Sequence, residues 1–240
     1  MGRVLMSIAR SFYGSTTALI PSRDELPLML NRRGLIGEAV EVGVQRGLFS
    51  ELILDTWNGR RLTSVDPWLE ADDYVDVANV SQASQDANYE ETIARLAKYG
   101  TRSRIWRMTS EEASHAVDDD QLDFVYLDAR HDFESVKSDL ALWYPRVRPG
   151  GIIAGHDYLD GHIPAGVFGV KSAVDEFFGR RNLPVASTFQ DSPWDSWVVR
   201  KPRTTGGQGR LAWSLAIVVR AIMIRARRLR AGVRQRKVGS

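Results

Sequence analysis

Two short segments carry the residue types best suited to chemistry. One is Asp128-Ala129-Arg130-His131 and the other is His156-Asp157-Tyr158. Each follows an apolar run, residues 122–127 and 151–154, that reads as a buried strand. In a parallel sheet, both segments open on the carboxyl edge, where ligands of such sheets bind. Asp128 and Asp157 then converge although 29 residues separate them. Two carboxylates with one or two imidazoles can hold a hard divalent cation such as Mg2+, so Asp128, Asp157 and His156 are the expected metal ligands. Such a cation would lower the pKa of a substrate hydroxyl and position it. His131 lies three residues beyond Asp128. With an ordinary histidine pKa of about 6.5 it suits a general base, which makes His131 and Asp128 the expected catalytic pair. A lone histidine more often caps a helix or bonds to backbone. Neighbouring carboxylates tip His131 toward chemistry, leave His156 open between the two roles, and leave His115 and His162 as ordinary residues.

A second constellation is Glu41-Val42-Gly43-Val44-Gln45-Arg46-Gly47, between an apolar run over residues 39–44 and a helical pattern over 48–57. Glycine lets backbone press against a ligand, and amides at a helix N-terminus add donors for a carboxylate. Asp66 ends the next strand, 25 residues after Glu41. A carboxylate there can accept both hydroxyls of a ribose. Glu41, Gly43, Gly47 and Asp66 are therefore expected to hold a ligand with a ribose and an amino-acid moiety. Without Asp66 the loop would indicate only a tight strand-to-helix turn.

These groups need a scaffold, and the hydrophobic pattern supplies one. Strands are expected over residues 39–44, 61–65, 104–108, 122–127 and 151–154. Helices are expected over 48–57, 89–98, 110–117 (with Ser110 as N-cap), 133–142 and 170–178. Two late strands, 185–189 and 197–199, have no helix between them and suggest a hairpin. The pattern predicts an α/β, Rossmann-like fold: a seven-stranded, mostly parallel sheet with helices on both faces and a C-terminal β-hairpin. Residues 1–37 read as an N-terminal helical extension, with helices near 4–13 and 25–33. Residues 38–202 read as the ligand-binding domain, and 203–240 as a flexible linker and a basic amphipathic tail.

The same segments resemble the class I S-adenosylmethionine-dependent methyltransferases, in particular the bacterial sugar and small-molecule O-methyltransferases related to the macrolide-sugar and aminocoumarin-sugar enzymes. The resemblance rests on Val40 to Gly47, Ser64-Val65-Asp66, Phe124 to His131 and Arg148 to Tyr158, and spans about two thirds of the chain. It implies S-adenosylmethionine held by Glu41, Gly43 and Asp66, with the turn Met108-Thr109-Ser110 near the adenine. In metal-dependent relatives an acidic residue after the fourth strand and an acidic pair after the fifth bind Mg2+. Asp128 and Asp157 match this pattern, and His131 matches the macrolide-sugar relatives' proposed base. His156 departs from it, because it stands where the pair's first carboxylate is often found and imidazole is the poorer Mg2+ ligand. The final strand pair separates this sheet from the dehydrogenase type. A nicotinamide-dependent oxidoreductase is also disfavoured, because the loop lacks the tighter G-x-G-x-x-G spacing. A non-catalytic cofactor-binding fold that tethers partners remains the reading from outside enzymology.

Composition bears on partners. The chain has no cysteine, which excludes disulfides, thiolate zinc sites and a cysteine nucleophile. Residues 201–240 hold 11 of the 32 Lys and Arg and none of the 30 Asp and Glu; the remaining 200 residues therefore carry 21 basic and 30 acidic groups, a net of −9. The tail's 14-residue apolar stretch over 211–224 is short of the roughly 20 residues needed to cross a bilayer, and arginines follow it. Residues 211–237 thus suit an anionic membrane surface first and a homo-oligomer second, with nucleic acid third because aromatic interleaving is missing. No secretory signal is apparent in residues 1–20, and a cytoplasmic protein peripheral to the inner face of the cell membrane is expected. The expected acceptor is a small molecule or glycan, with Trp68 and Trp194 as candidates for stacking on a sugar. Residues 157–169 read as a mobile lid over it.

Overall fold

The computed structural model describes residues 19–203 and, before them, Ser7, Arg10, Tyr13 and Thr17. Most of the helix expected over 4–13, and the tail from 204 on, lie outside the described residues.

A 3-10 turn (Arg23–Glu25) leads into α1 (Leu26–Arg32), and the chain then alternates: β1 (Glu38–Val42), α2 (Leu48–Thr56), β2 (Arg61–Asp66), α3 (Gln82–Leu96), β3 (Ser103–Arg107), α4 (Ser110–His115), β4 (Leu122–Leu127), α5 (Phe133–Trp143) and β5 (Val147–Gly155). A small hairpin, β6 (Asp160–Ile163) and β7 (Gly166–Gly169), precedes α6 (Val170–Gly179). The last strands are β8 (Ala186–Ser187) and β9 (Trp197–Arg200). The main sheet has seven strands in the order β3-β2-β1-β4-β5-β9-β8. The first five are parallel, while β9 runs antiparallel to β5 and to β8. This is the expected architecture.

All six residues of β4 are buried because helices cover both faces, so the strand reads as an unbroken apolar run. Phe124 and Tyr126 pack with Leu26, Met29, Phe49 and Ile53, while Val125 and Leu127 pack with Leu140, Trp143, Val174 and Phe178. The N-terminal segment thus supplies Leu26, Met29 and Leu30 to the core. It is also tied to the loop before β9: Pro21 O accepts from Phe189 N and Gln190 N, and Arg23 N donates to Asp191 Oδ2 at 2.8 Å.

Three local expectations are corrected. Helix α3 begins at Gln82 rather than near 89, because Ser81 caps it and accepts from Ser84 N; its polar surface hid the period. Helix α4 is capped by Thr109, not Ser110, through a box in which Thr109 and Glu112 satisfy one another's backbone amides. The segment expected to be a mobile lid folds as the β6–β7 hairpin, pinned to the loop after β2 by a bridge between Asp76 and Gly166 and by Val77 N donating to Ala165 O. No helix among the described residues is long and apolar enough to cross a membrane.

Candidate active site

The glycine loop and the two acidic segments meet at the carboxyl edge of β1, β4 and β5. Gly43 N donates to Val65 O, Asp128 N to Val42 O and His156 N to Leu127 O, so neighbouring strands hold the three loops in register. Three residues with side chains take positive φ here: Gln45 (53°), Trp68 (46°) and Asp157 (52°). Backbone strain concentrates at functional edges, and here it follows β1, β2 and β5.

The acidic segments converge as expected, with one exchange of partner. Ligand atoms of Asp128, His131 and Asp157 all lie within 4.8 Å of one another. His131 Nε2 is 3.0 Å from Asp157 Oδ2 and 3.7 Å from Asp128 Oδ1. That nitrogen is buried and, at these angles, makes no hydrogen bond. Its other ring nitrogen is engaged: Nδ1 lies 2.9 Å from Asp76 Oδ2 and 3.2 Å from the Tyr74 hydroxyl, which also accepts from the His131 backbone N–H at 3.0 Å. Phe168 of β7 stacks on the ring at 4.7 Å between centroids. His156, expected as a ligand, instead sets Nδ1 against Asp157 Oδ1 at 2.8 Å, outside the converging group. The metal-ligand expectation is therefore corrected from His156 to His131.

The electrostatics also correct the premise for the base. Burial alone would lower the His131 pKa, but the carboxylates of Asp128, Asp157 and Asp76 outweigh it and lift the imidazole to about 11. A protonated ring has no lone pair with which to take a proton. Burial would likewise raise Asp157, but His131 and His156 hold it well below the usual carboxylate range. The donor set fits a divalent cation. Nδ1–H held by a buried carboxylate leaves Nε2 free to ligate, the usual arrangement behind a metal-bound histidine.

The sequence gave no sign of Tyr74, Asp76, Phe168 or Arg23 at this site. Arg23 reaches in from the N-terminal turn to 3.5 Å from Asp128 Oδ2, its guanidinium 5.0 Å above the Phe49 ring. Asp-Tyr-Val-Asp at 73–76, inside a polar connector, was the one available signal.

The cofactor residues behave less uniformly. Glu41 is 2% exposed and sits beneath the loop, where the Ser50 hydroxyl donates to it and also contacts Ser64 Oγ at 2.7 Å. Asp66 is at the edge, but Oδ2 accepts from both Val44 N and Gln45 N at 2.9 Å, and Oδ1 accepts from Trp68 N at 2.7 Å. One lone pair remains, so the expected two-hydroxyl grip on a ribose is corrected to one acceptor plus a fixed loop. Thr109 is spent on its cap. Ser110 donates to Asp139 and accepts from Trp143 Nε1 at 2.9 Å, so it joins α4 to α5. Leu69 (55% exposed) and Met108 (37%), just past β2 and β3, offer apolar surface beside Asp66. The stacking role expected of Trp68 is also corrected: the ring is fully buried and its Nε1 donates to Gln45 O at 2.7 Å.

Burial of Glu41 has a consequence for stability. Burial, with Asp128 and Asp66 adding to it, pushes its carboxyl from 4.5 up to about 8, against Ser50 and Arg23. The folded state then holds this proton more tightly than the unfolded chain. The stability so contributed is complete below about pH 4.5 and is lost as pH rises to about 8. Asp139, raised by burial to about 6, acts with the same sign at lower pH. Glu41→Gln is therefore expected to flatten the fall in unfolding free energy between about pH 6.5 and 8.5. Urea melts of both proteins across that range test it, and parallel slopes would reject it.

A seven-stranded sheet in this order, with a reversed strand pair at one end and ligand loops on the carboxyl edge, is the class I methyltransferase fold. Residues 40–158, from β1 to the turn after β5, match a family model described as a methyltransferase domain, so this segment is a methyltransferase domain. Over 69 residues the chain is 32% identical to an uncharacterized protein, y4gI, of Sinorhizobium fredii; the match takes in 29% of this chain and 8% of that protein's length. Among solved structures it is similar to an O-methyltransferase from Bacillus cereus in complex with SAH, with a TM-score of 0.54 and 11% identity over 83% of this chain and 90% of that one. It is also similar to the O-methyltransferase TomG of Streptomyces achromogenes, involved in tomaymycin synthesis and in complex with SAM, with a TM-score of 0.51 and 16% identity over 82% and 89%. Identities this low establish a common fold.

Proposed function

We propose that this protein binds S-adenosylmethionine along the edge of β1 and β2 and transfers its methyl group to a hydroxyl of a small-molecule acceptor. The observation that carries this reading is the convergence of Asp128, His131 and Asp157 beside the glycine loop of a methyltransferase domain. The hydroxyl oxygen bonds to the methyl carbon, the sulfur–methyl bond breaks, and the hydroxyl proton leaves. Asp128, Asp157 and His131 would hold a divalent cation, which lowers the pKa of a bound hydroxyl. Two carboxylates suit Mg2+ or Mn2+, and the imidazole shifts the preference toward Mn2+. Asp76 and Tyr74 orient the His131 ring, and Phe168 closes over it. Arg23 offers a cation beside Asp128 for an acidic group on the acceptor. A sugar or glycosylated acceptor is supported by the family resemblance alone, now that Trp68 is committed to the core. Peripheral membrane binding and self-association through residues 211–237 belong to the same proposal, since the charge pattern is their support.

Calorimetric titration with S-adenosylhomocysteine tests the cofactor assignment. Wild type is expected to bind. Asp66→Ala frees two loop amides as well as the ribose contact, and is expected to weaken binding by at least tenfold, about 1.4 kcal/mol or more. No binding by wild type would overturn the cofactor reading, and unchanged affinity in the variant would overturn the role of Asp66.

A further inference from the structure

The opposite edge of the sheet holds a cluster that methyl transfer does not use. Arg33 caps the C-terminus of α1, Arg200 ends β9, and Arg203 follows three residues later. Because β9 runs antiparallel to β5, its end lies at the amino edge of the parallel strands, away from the glycine loop. Gly150 N donates to Lys201 O and Lys201 N to Gly151 O, which ties this end of β9 to the turn in β5. Gly150 has φ +86°, and a side-chain carbon there would come within 2.7 Å of Arg203 Nε, so the turn leaves room for that arginine to lie across it.

The three guanidiniums repel one another. Burial, together with Arg200 and Arg203, pulls Arg33 down to about 10, and burial with Arg203 lowers Arg200. Arg33 Nε and Nη2 and Arg200 Nε are buried without a hydrogen-bond partner. No ion pair with a carboxylate involves any of the three among the described residues; their neighbours Arg60, Arg61, Arg148 and Lys201 are paired with Glu38, Asp123 and Asp120. Residues 1–18 and 204–240 contain no Asp or Glu, so no acidic side chain elsewhere in the sequence is left to answer them. A buried cation without a counter-ion is costly, and an anion from outside the chain removes that cost. Three guanidiniums present more donors than the two oxygens of a carboxylate can accept, whereas a phosphate offers three or more. The chain then runs on from Arg203 into a segment with nine more Lys and Arg, which favours a ligand presented among further anions.

We infer that Arg33, Arg200 and Arg203 form a binding site for a phosphate group, supplied by an anionic phospholipid headgroup or by a free phosphate ester.

The test uses the full chain and the double variant Arg33→Gln/Arg200→Gln, with Arg60→Gln as a control that removes one charge outside the cluster. Thermal melts are run in inorganic phosphate and in chloride at equal ionic strength. Sedimentation is run with vesicles of phosphatidylcholine alone and mixed with phosphatidic acid. At about tenfold excess over its Kd, phosphate should raise the wild-type Tm by roughly 3–6 °C. The double variant should lose this rise and Arg60→Gln should keep it. If the source is a lipid, the double variant also sediments several-fold less with phosphatidic acid vesicles. If it is a free ester, only the melting shift is lost. Removing mutually repelling charges should leave the variant's melt in chloride no lower than wild type; should it fail to fold, the exposed Arg203→Gln gives the same readouts. Phosphate shifts and vesicle sedimentation both unchanged by the substitutions would overturn the site.

Discussion

Asp157→Asn is expected to remove divalent-cation binding and to lower turnover on a competent acceptor by about 10²- to 10⁴-fold, with the fold intact. The choice of asparagine follows from the backbone. Asp157 sits at φ 52°, where Asn is well tolerated and alanine is strained. Its amide oxygen can still accept from His156, so the loop after β5 keeps its tie. The carboxylate facing His131 Nε2 is what disappears. Asp76→Asn should act one step further out: it leaves Asp128, His131 and Asp157 in place but loosens the ring, which typically costs 10- to 100-fold in metal affinity. Titration with Mn2+, melting curves and turnover, measured on both variants, separate the cases. Undiminished Mn2+ affinity in Asp157→Asn would remove the ligand assignment, and a collapsed melt would show Asp157 to be structural instead.

Much of this site was readable because topology does the convergence. Residues 122–127 and 151–154 are apolar on both faces, so they had to be neighbouring buried strands, and whatever follows them had to meet at one edge. Asp128, His131 and Asp157 follow from that alone. Asp76 and Tyr74 do not, because they lie 55 and 57 residues before their partner in a polar connector, and which acidic residue of such a loop finds a histidine is decided by tertiary packing. The hairpin of β6 and β7 decides it here, by bridging to Asp76. Trp68 misled for the same reason: a tryptophan in a loop looks available for a ligand, yet its Nε1 and ring complete the glycine loop from below. His131 was found by position and misjudged by pKa, since three surrounding carboxylates cannot be counted from spacing.

Gly43→Ala is the second large effect expected, and it bears on why the loop has its glycines. The sequence argument gives Gly43 to the ligand, as the place where backbone must approach a cofactor. In the structure the close neighbour is the protein itself: an added side-chain carbon would lie 2.0 Å from the Asp128 carbonyl oxygen and 2.4 Å from its carbon. Those are backbone atoms of the chain leaving β4, which cannot rotate away, and φ at Gly43 is +85°. Overpacking of about 1–3 kcal/mol and a left-handed alanine of about 1–2 kcal/mol act together. Their sum, on the order of 3–5 kcal/mol, corresponds to a Tm lower by roughly 10 °C. At Gly47, also left-handed with φ +71°, the nearest atom is a Thr92 methyl at 3.1 Å, a side chain that can give, so Gly47→Ala should cost about half as much. The ligand reading predicts the reverse for Gly43: an ordinary melt with S-adenosylhomocysteine binding lost. Melting without ligand therefore decides whether this glycine serves the junction of β1 with β4 or only the cofactor. An unshifted Tm for Gly43→Ala would return it to the cofactor.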